Sequence, residues 1–302
     1  MSQETLILIG GPTASGKSAL ALRLAEARRG VILNADAMQV YRALPILTAQ
    51  PSDEDKARIP HRLYEIIDPT EPSSAGIWLD RACAEINQTL TQGKTPILVG
   101  GTGLYFDALL GGLADIPPIP SEARAAAAKH YAEWGETKFR AELAKHDPES
   151  AQKIARNDRQ RLIRAYEVVT HTGKALSAWH KTGQDRRALP ERAKIEYHLL
   201  LPPRDQLYAA CDQRFLSMIE RGAIDEVKKL LARGLSPTLP SMKILGVREI
   251  AAYLRGETSL DEAVAKAQQK TRNYAKRQTT WFRNRWEKTP LFGKDSLNEI
   301  PV

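Results

Sequence analysis

Leu6-Ile-Leu-Ile-Gly-Gly-Pro-Thr-Ala-Ser-Gly-Lys-Ser18 is a short apolar run that breaks at Gly11-x-x-x-x-Gly16-Lys17-Ser18 and continues as the helix-like stretch Ala19 to Ala27. Gly11, Pro12, Thr13, Ala14, Ser15, Gly16, Lys17 and Ser18 have the pattern of a phosphate-binding loop. Its glycines let successive backbone N–H groups turn inward onto phosphate oxygens, and Lys17 adds a mobile point charge. The Ser18 hydroxyl suits a magnesium ion, and the following helix contributes the positive end of its dipole. Every term favours a polyanion. None says which one, because nucleotide and non-nucleotide diphosphates present the same oxygens.

The same rhythm of buried strand and polar turn recurs. Val31-Ile-Leu-Asn-Ala-Asp36 reads as a second buried strand ending in polar residues, and residues 95–110 repeat strand, glycine turn and helix around Gly100-Gly-Thr-Gly103. Short continuous apolar runs are expected of a parallel sheet covered on both faces, and such sheets bind ligands at the carboxyl ends of their strands. The loop, Asp36 and the 100–103 turn are therefore expected on one sheet edge. Between them, Pro45 to Pro60 reads as loop-rich and Trp78 to Thr91 as a crossover helix.

Beyond Ile116-Pro-Pro-Ile-Pro120 the strand signal vanishes. From Ser121 to about Pro190 the chain reads as helices broken at Gly135, Asp147-Pro148 and Gly173, a helical subdomain inserted into the sheet domain. Ile195 to Leu201 resumes strand character, and Arg204–Arg221, Ala223–Arg233, Val247–Leu254 and Ser259 to about Trp286 read as helices. The last dozen residues read as a loose tail. The expected class is α/β: a P-loop NTPase-like parallel sheet core of residues 1–115 and 195–302 with an all-helical insertion at 116–194.

The 302 residues are 42% hydrophobic and 26% charged, the balance of a water-soluble globular protein. No apolar run approaches the length of a membrane span, and the first strand begins too early for a signal peptide, so the expectation is a cytoplasmic protein. Cys83 and Cys211 lack partners at metal or disulfide spacing and read as small core residues. The net charge is +8, and eight basic residues, Lys266 to Lys288, crowd the last helical run against Glu287 alone. That density points to nucleic acid or another polyanion. A second crowd is Lys153, Arg156, Arg159, Arg161 and Arg164.

Asp36 has three physical readings. It could hold Mg²⁺ through water, accept a proton from a substrate poised near the phosphates, or cap a following helix.

Asp36-Ala-Met-Gln-Val-Tyr41, following Gly-Pro-Thr-Ala-Ser-Gly-Lys-Ser, resembles the signature of the tRNA dimethylallyltransferases. The likeness continues through Val99-Gly-Gly-Thr-Gly-Leu-Tyr105, Asn157 to Val168, Asp212 to Met218 with Gly222 and Glu226-Val227, and Thr271 to Arg283. Enzymes of that family transfer a prenyl group to the N6 amine of the adenine 3′ of the anticodon. The resemblance implies that the loop serves dimethylallyl diphosphate with Mg²⁺ at Ser18. It implies Asp36 as base toward N6, with Thr102, Lys17 and Arg214 at the catalytic site. It also implies tRNA contacts at Asp36, Ala37, Met38, Gln39, Thr102, Arg124 and the segment Gln160, Arg161, Leu162, Ile163 and Arg164. A monomer gripping the anticodon arm is expected. Gln39 suits an adenine edge, and Tyr41 or Tyr105 suits either base stacking or the core; Tyr274 and Trp281, seven apart on one helical face, read as core.

Where the family usually shows Gly-Met-Asp-Ile-Gly-Thr-Ala-Lys-Pro after the tyrosine, this chain has Ala43-Leu-Pro-Ile-Leu-Thr-Ala-Gln-Pro51, and Leu245-Gly-Val-Arg248 stands for Ile-Gly-Tyr-Lys/Arg. A nucleotide-dependent kinase would explain the loop but not the basic run. An adenylate isopentenyltransferase would not need a large basic insertion, and a non-catalytic RNA-binding module would not need Lys17, Ser18 and Asp36 together.

Overall fold

A computed structural model of the chain describes residues 4–182, 189 and 193–286. Five strands form one sheet: β1 (Thr5–Gly10), β2 (Gly30–Asn34), β3 (His61–Arg62), β4 (Thr95–Gly100) and β5 (Lys194–Leu199). Their order is β3-β2-β4-β1-β5, and every pairing is parallel. The central strands are the apolar runs of the sequence, with Leu6, Ile7, Leu8, Ile9, Ile97 and Leu98 at 0% exposure. Burial on both faces demands helices above and below. Helices α1 (Lys17–Arg28) and α3 (Ala75–Thr91) supply the crossovers, the latter begun by Ser74, whose side chain accepts from Ile77 N.

The stretch expected as loop between Pro45 and Pro60 contains a short helix, α2 (Asp53–Arg58). Ser52 and Asp55 form a reciprocal capping box there, so two end groups are satisfied locally. The two-residue strand β3, which the sequence reading lacked, follows it and pairs with Ile32 and Leu33.

The described residues fall into two compact units, one drawn from Met1–Asp107 with Leu189–Val302 and the other from Ala108–Ala188. The division falls inside α4 (Gly103–Gly111) and just before β5, somewhat earlier than the boundaries expected at 116 and 194. The regular elements of the second unit's described part are all helices: α5 (Ser121–Ala144), α6 (Pro148–Lys153), α7 (Arg159–Thr172) and α8 (Leu176–Thr182). Its breaks are those read from sequence. Gly135 takes φ 72° and ψ 167° inside α5, Asp147 caps α6 ahead of Pro148, and Gly173 ends α7 at φ 69°. Phe139, Leu143, Leu162 and Val168 form its centre.

The remaining helices belong to the first unit: α9 (Arg204–Glu220), α10 (Ala223–Leu231), α11 (Val247–Leu254) and α12 (Leu260–Arg285). Helix α12 buries Ala263, Ala267, Thr271, Ala275, Gln278 and Phe282, a face repeating every three or four residues. Phe282 and Trp286 meet Phe106 edge-on at ring distances of 6.2 and 5.1 Å. Gly103 lets α12 come down on the sheet edge, since a Cβ there would collide with the Trp281 ring. Gly100 lies so close to the Ala35 carbonyl that a Cβ would overlap backbone atoms.

Backbone cannot step aside as a side chain can. Gly100→Ala is expected to cost about 3 kcal/mol or more, while Gly111→Ala, with nothing near its Cβ, should be neutral. Thermal denaturation of the two variants checks this; equal midpoints would contradict it.

Candidate active site

The loop joining β1 to α1 begins at Gly11 and ends at Gly16, which occupies the N-cap of α1 at φ 87° without any side-chain cap. Ala14 also takes a positive φ, 63°. No acidic residue sits in the first turn of α1, so the helix end keeps its positive potential for a ligand. Ser15 is 2% exposed and its hydroxyl has no partner, a buried polar atom suited to a bound group. Ser18, on the exposed side of that turn, carries the hydroxyl suited to Mg²⁺. Lys17 Nζ donates to Pro12 O at 2.5 Å. Burial pulls its pKa from 10.5 down to about 8, opposed by Asp36 and reinforced by Arg214.

Asp36 stands two residues past β2 in a turn held from several sides. Asn34, fully buried, accepts from Asp36 N at 2.8 Å and donates to Asp36 O and Leu63 O. Thr102 Oγ1 accepts from Ala37 N at 2.9 Å, and Asp36 Oδ1 accepts from Met38 N at 2.9 Å. No helix follows Asp36, so its capping role reduces to this local turn. From α9, Arg214 Nη2 donates to Thr13 Oγ1 at 2.5 Å, and burial lowers its pKa while Cys211 and Asp36 oppose the shift.

Thr13, Asp36 and Arg214 among these residues line a cleft of about 510 Å³. Thr13, Asp36, Arg214 and Tyr274 make its polar side, and Met38, Leu47, Phe215, Met218, Ile244 and Leu245 its apolar side. Burial first, then Asp36, raises the pKa of Tyr274. A largely apolar pocket with a few convergent charged groups is the ordinary form of a small-molecule site.

One residue that sequence reasoning passed over joins the parts. Gln278 of α12 is 6% exposed; its Oε1 accepts from Thr13 N at 2.8 Å and its Nε2 donates to Gly101 O at 2.9 Å. The signal was available. Gln278 falls on the 271, 275, 278, 282 face, where a polar side chain must be buried and therefore bonded.

Other expected residues land elsewhere. Gln39 Nε2 donates to Thr48 O and Ala49 O, both at 2.9 Å, so its amide donors hold a loop rather than await an adenine. With Ser18, Gln50, His61 and Tyr64 it lines a second cavity of about 390 Å³. Tyr41 and Tyr105 are core: Tyr41 is fully buried with its hydroxyl accepting from Ser73 N, and Tyr105 stacks on Trp78 at 4.2 Å. Tyr274, expected in the core, lines the cleft. Cys211 is buried, whereas Cys83 is only half-buried.

In the helical unit, Gln160 and Arg161 are exposed, whereas Leu162 and Ile163, at 0% and 8% exposure, belong to the core. Helix α7 turns their side chains inward between exposed neighbours. Arg164 and Arg124 both pair with Glu167. Along α12, Lys270 pairs with Glu249, Arg272 with both oxygens of Asp212, and Arg285 with Asp107. Lys276 and Arg283 are exposed without an ion pair among the described residues, and Arg277 lies over the Tyr274 ring. Glu287, Lys288 and the terminal tail lie outside the described residues.

Parallel sheet, glycine-rich strand–helix loop and edge cleft define an α/β protein of the P-loop NTPase-like class. The sequence matches the IPP transferase family over residues 39–285. A tRNA dimethylallyltransferase of Caulobacter sp. (strain K31) is 51% identical over 291 residues, covering 95% of this chain and 93% of that one. The tRNA dimethylallyltransferase of Rhodospirillum centenum is 52% identical, with 92% and 88% covered. The crystal structure of a tRNA isopentenylpyrophosphate transferase from Bacillus halodurans is similar with a TM-score of 0.65 at 35% identity, covering 94% of this chain and 88% of that one. A eukaryotic dimethylallyltransferase acting on tRNA gives a TM-score of 0.78 at 27% identity, covering 92% and 70%. This chain belongs to the IPP transferase family, enzymes called tRNA dimethylallyltransferases.

Lys17 gives a pH prediction. Below about pH 8 its ammonium is present for an anion, and above that it is lost, so inorganic diphosphate affinity should fall with rising pH by up to about tenfold per unit. For ligand-free stability the sign is reversed. The buried ammonium disfavours the fold below pH 8, and that cost fades between about 8 and 10.5. Titration calorimetry on the wild type and Lys17→Met measures the difference; a Lys17→Met profile that still falls through pH 8 like the wild type's would refute it.

Proposed function

We propose that this chain transfers a dimethylallyl group from dimethylallyl diphosphate to N6 of the adenine 3′ of the anticodon in tRNA, releasing diphosphate. The observation that carries this is the make-up of one cleft, which holds a carboxylate, Asp36, a cation, Arg214, and an apolar wall, and whose Thr13 belongs to the loop that carries Lys17. The wall suits a five-carbon branched chain, and the cations suit the diphosphate. Asp36 suits the proton that must leave the amine.

An exocyclic adenine amine is a weak nucleophile because its lone pair is delocalised into the ring. Attack forms the N6–C bond and breaks the C–O bond to diphosphate; the N6 proton passes to Asp36. The departing charge is met by Lys17, Arg214 and amides of the loop from Gly11 to Ser18, with about 3 kcal/mol available per well-placed donor. Ser18 would hold Mg²⁺, a cation that takes few protein ligands and completes its shell with substrate phosphates and water. The ion would supply further neutralisation of the leaving diphosphate. Thr102, fixed against Ala37, keeps the Asp36 turn in place.

The adenine must leave its stack, at a cost of a few kcal/mol. Exposed Arg124, Gln160 and Arg161 and the partly exposed Arg164 of the helical insertion, with Lys276 and Arg283 of α12, supply phosphate contacts to the anticodon arm. All residues invoked come from one chain, so a monomer suffices, and the reaction belongs in the cytoplasm with its tRNA.

Incubating unmodified tRNA with the enzyme and dimethylallyl diphosphate, then digesting to nucleosides, should show adenosine with a dimethylallyl group in place of one hydrogen; its absence with folded enzyme would refute the assignment. Asp36→Asn should lower single-turnover transfer by about 10² to 10⁴ with both substrates still bound. Weakened diphosphate binding, partly rescued by excess Mg²⁺, would instead make Asp36 a metal ligand.

A further inference from the structure

The helical unit buries a carboxylate that the reaction does not use. Glu167, on α7, has a side chain only 1% exposed. Its Oε1 accepts from Arg164 Nη1 at 2.6 Å. Its Oε2 lies 3.8 Å from Arg124 Nε, on α5, and has no hydrogen-bond partner. Both arginine side chains are well exposed, at 63% for Arg124 and 41% for Arg164. An apolar side chain would suit so buried a position better, as Leu162, Ala165 and Val168 of the same helix, all at 0% exposure, illustrate. A buried charge is costly unless it is paired.

We propose that Glu167 is a positioning residue that orders Arg124 and Arg164, one from each helix, into a fork for one nucleic-acid phosphate. The inference rests on the tRNA-gripping role proposed for these arginines. Each guanidinium spends little on the carboxylate. Arg164 gives it one terminal nitrogen and Arg124 approaches with Nε, leaving planar donors of both for a phosphate. Holding two long side chains in place beforehand removes ordering entropy from the binding step.

The sign of one substitution separates this from plain electrostatics. Glu167→Gln keeps the shape and deletes a negative charge beside a polyanion site, so charge alone predicts tighter RNA binding. The positioning role predicts weaker binding, by about fivefold or more, to an anticodon stem-loop RNA at fixed salt. Unchanged or tighter binding overturns the proposal.

If Glu167→Gln fails to fold by circular dichroism, Arg124→Lys decides, because it keeps the exposed charge and loses the fork. Binding reduced as far as in Arg124→Ala supports the proposal, and wild-type binding overturns it. The KM for dimethylallyl diphosphate should stay constant throughout. If the Arg124→Ala, Arg164→Ala double variant binds RNA normally, the gripping role itself fails, and the fork with it. If that variant is impaired while Glu167→Gln is not, only the fork fails.

Discussion

A single buried amide holds the site together. Gln278 reaches 265 residues back to the Thr13 amide and 177 back to the Gly101 carbonyl, tying the first loop of the sheet to its second glycine turn. The neutral amide accepts with one atom and donates with the other; a carboxylate would have no donor for Gly101. An unmade bond at this depth would cost about 1–3 kcal/mol. With Gln278 fixed, the rest of α12 follows: Tyr274 faces the cleft one turn earlier, and Trp281 lies on Gly103 just after. The late part of the chain is therefore a wall of the site made by the first loop.

Near that wall two cations, Lys17 and Arg214, interact with one carboxylate, Asp36. Lys17 and Arg214 are both depressed by burial, with Asp36 only partly compensating. Such a grouping favours an anionic ligand, and partial desolvation strengthens each contact made to it. The unusual 43–50 loop is stabilised by similar means. Ala43 and Ala49 take φ of 72° and 53°, the left-handed region where L-residues are strained. Glu226 offsets the cost by accepting from Ile46 N and Leu47 N at 2.8 and 2.9 Å. Gln50 joins in, its Nε2 donating to Tyr41 O at 3.0 Å. The loop keeps its shape by hydrogen bonds from side chains instead of by glycines.

Sequence patterns revealed those features whose cause is local. Apolar runs marked the central strands, and Gly135, Pro148 and Gly173 marked the helix breaks because each acts through its own backbone. The short helix α2 was legible too, in Ser52-x-x-Asp55, but its polar residues hid it among loop signals. What could not be read were choices made between distant segments. Gln39 looked free for a base until its Nε2 proved to serve Thr48 and Ala49. Leu162 and Ile163 stood in a basic segment, yet helical geometry turns them inward. Gln278 sat in a run dominated by charge, and only the burial period of α12 set it apart.

Amide hydrogen exchange at Thr13 tests the bridging role of Gln278 most directly. The N–H lies in a glycine-rich loop, where exchange would ordinarily be fast, and its one bond in this structure is to a side chain in α12. The account predicts that Thr13 exchanges slowly in the wild type and much faster in Gln278→Leu, with the β1 amides unchanged. Equally fast exchange in both proteins would contradict it.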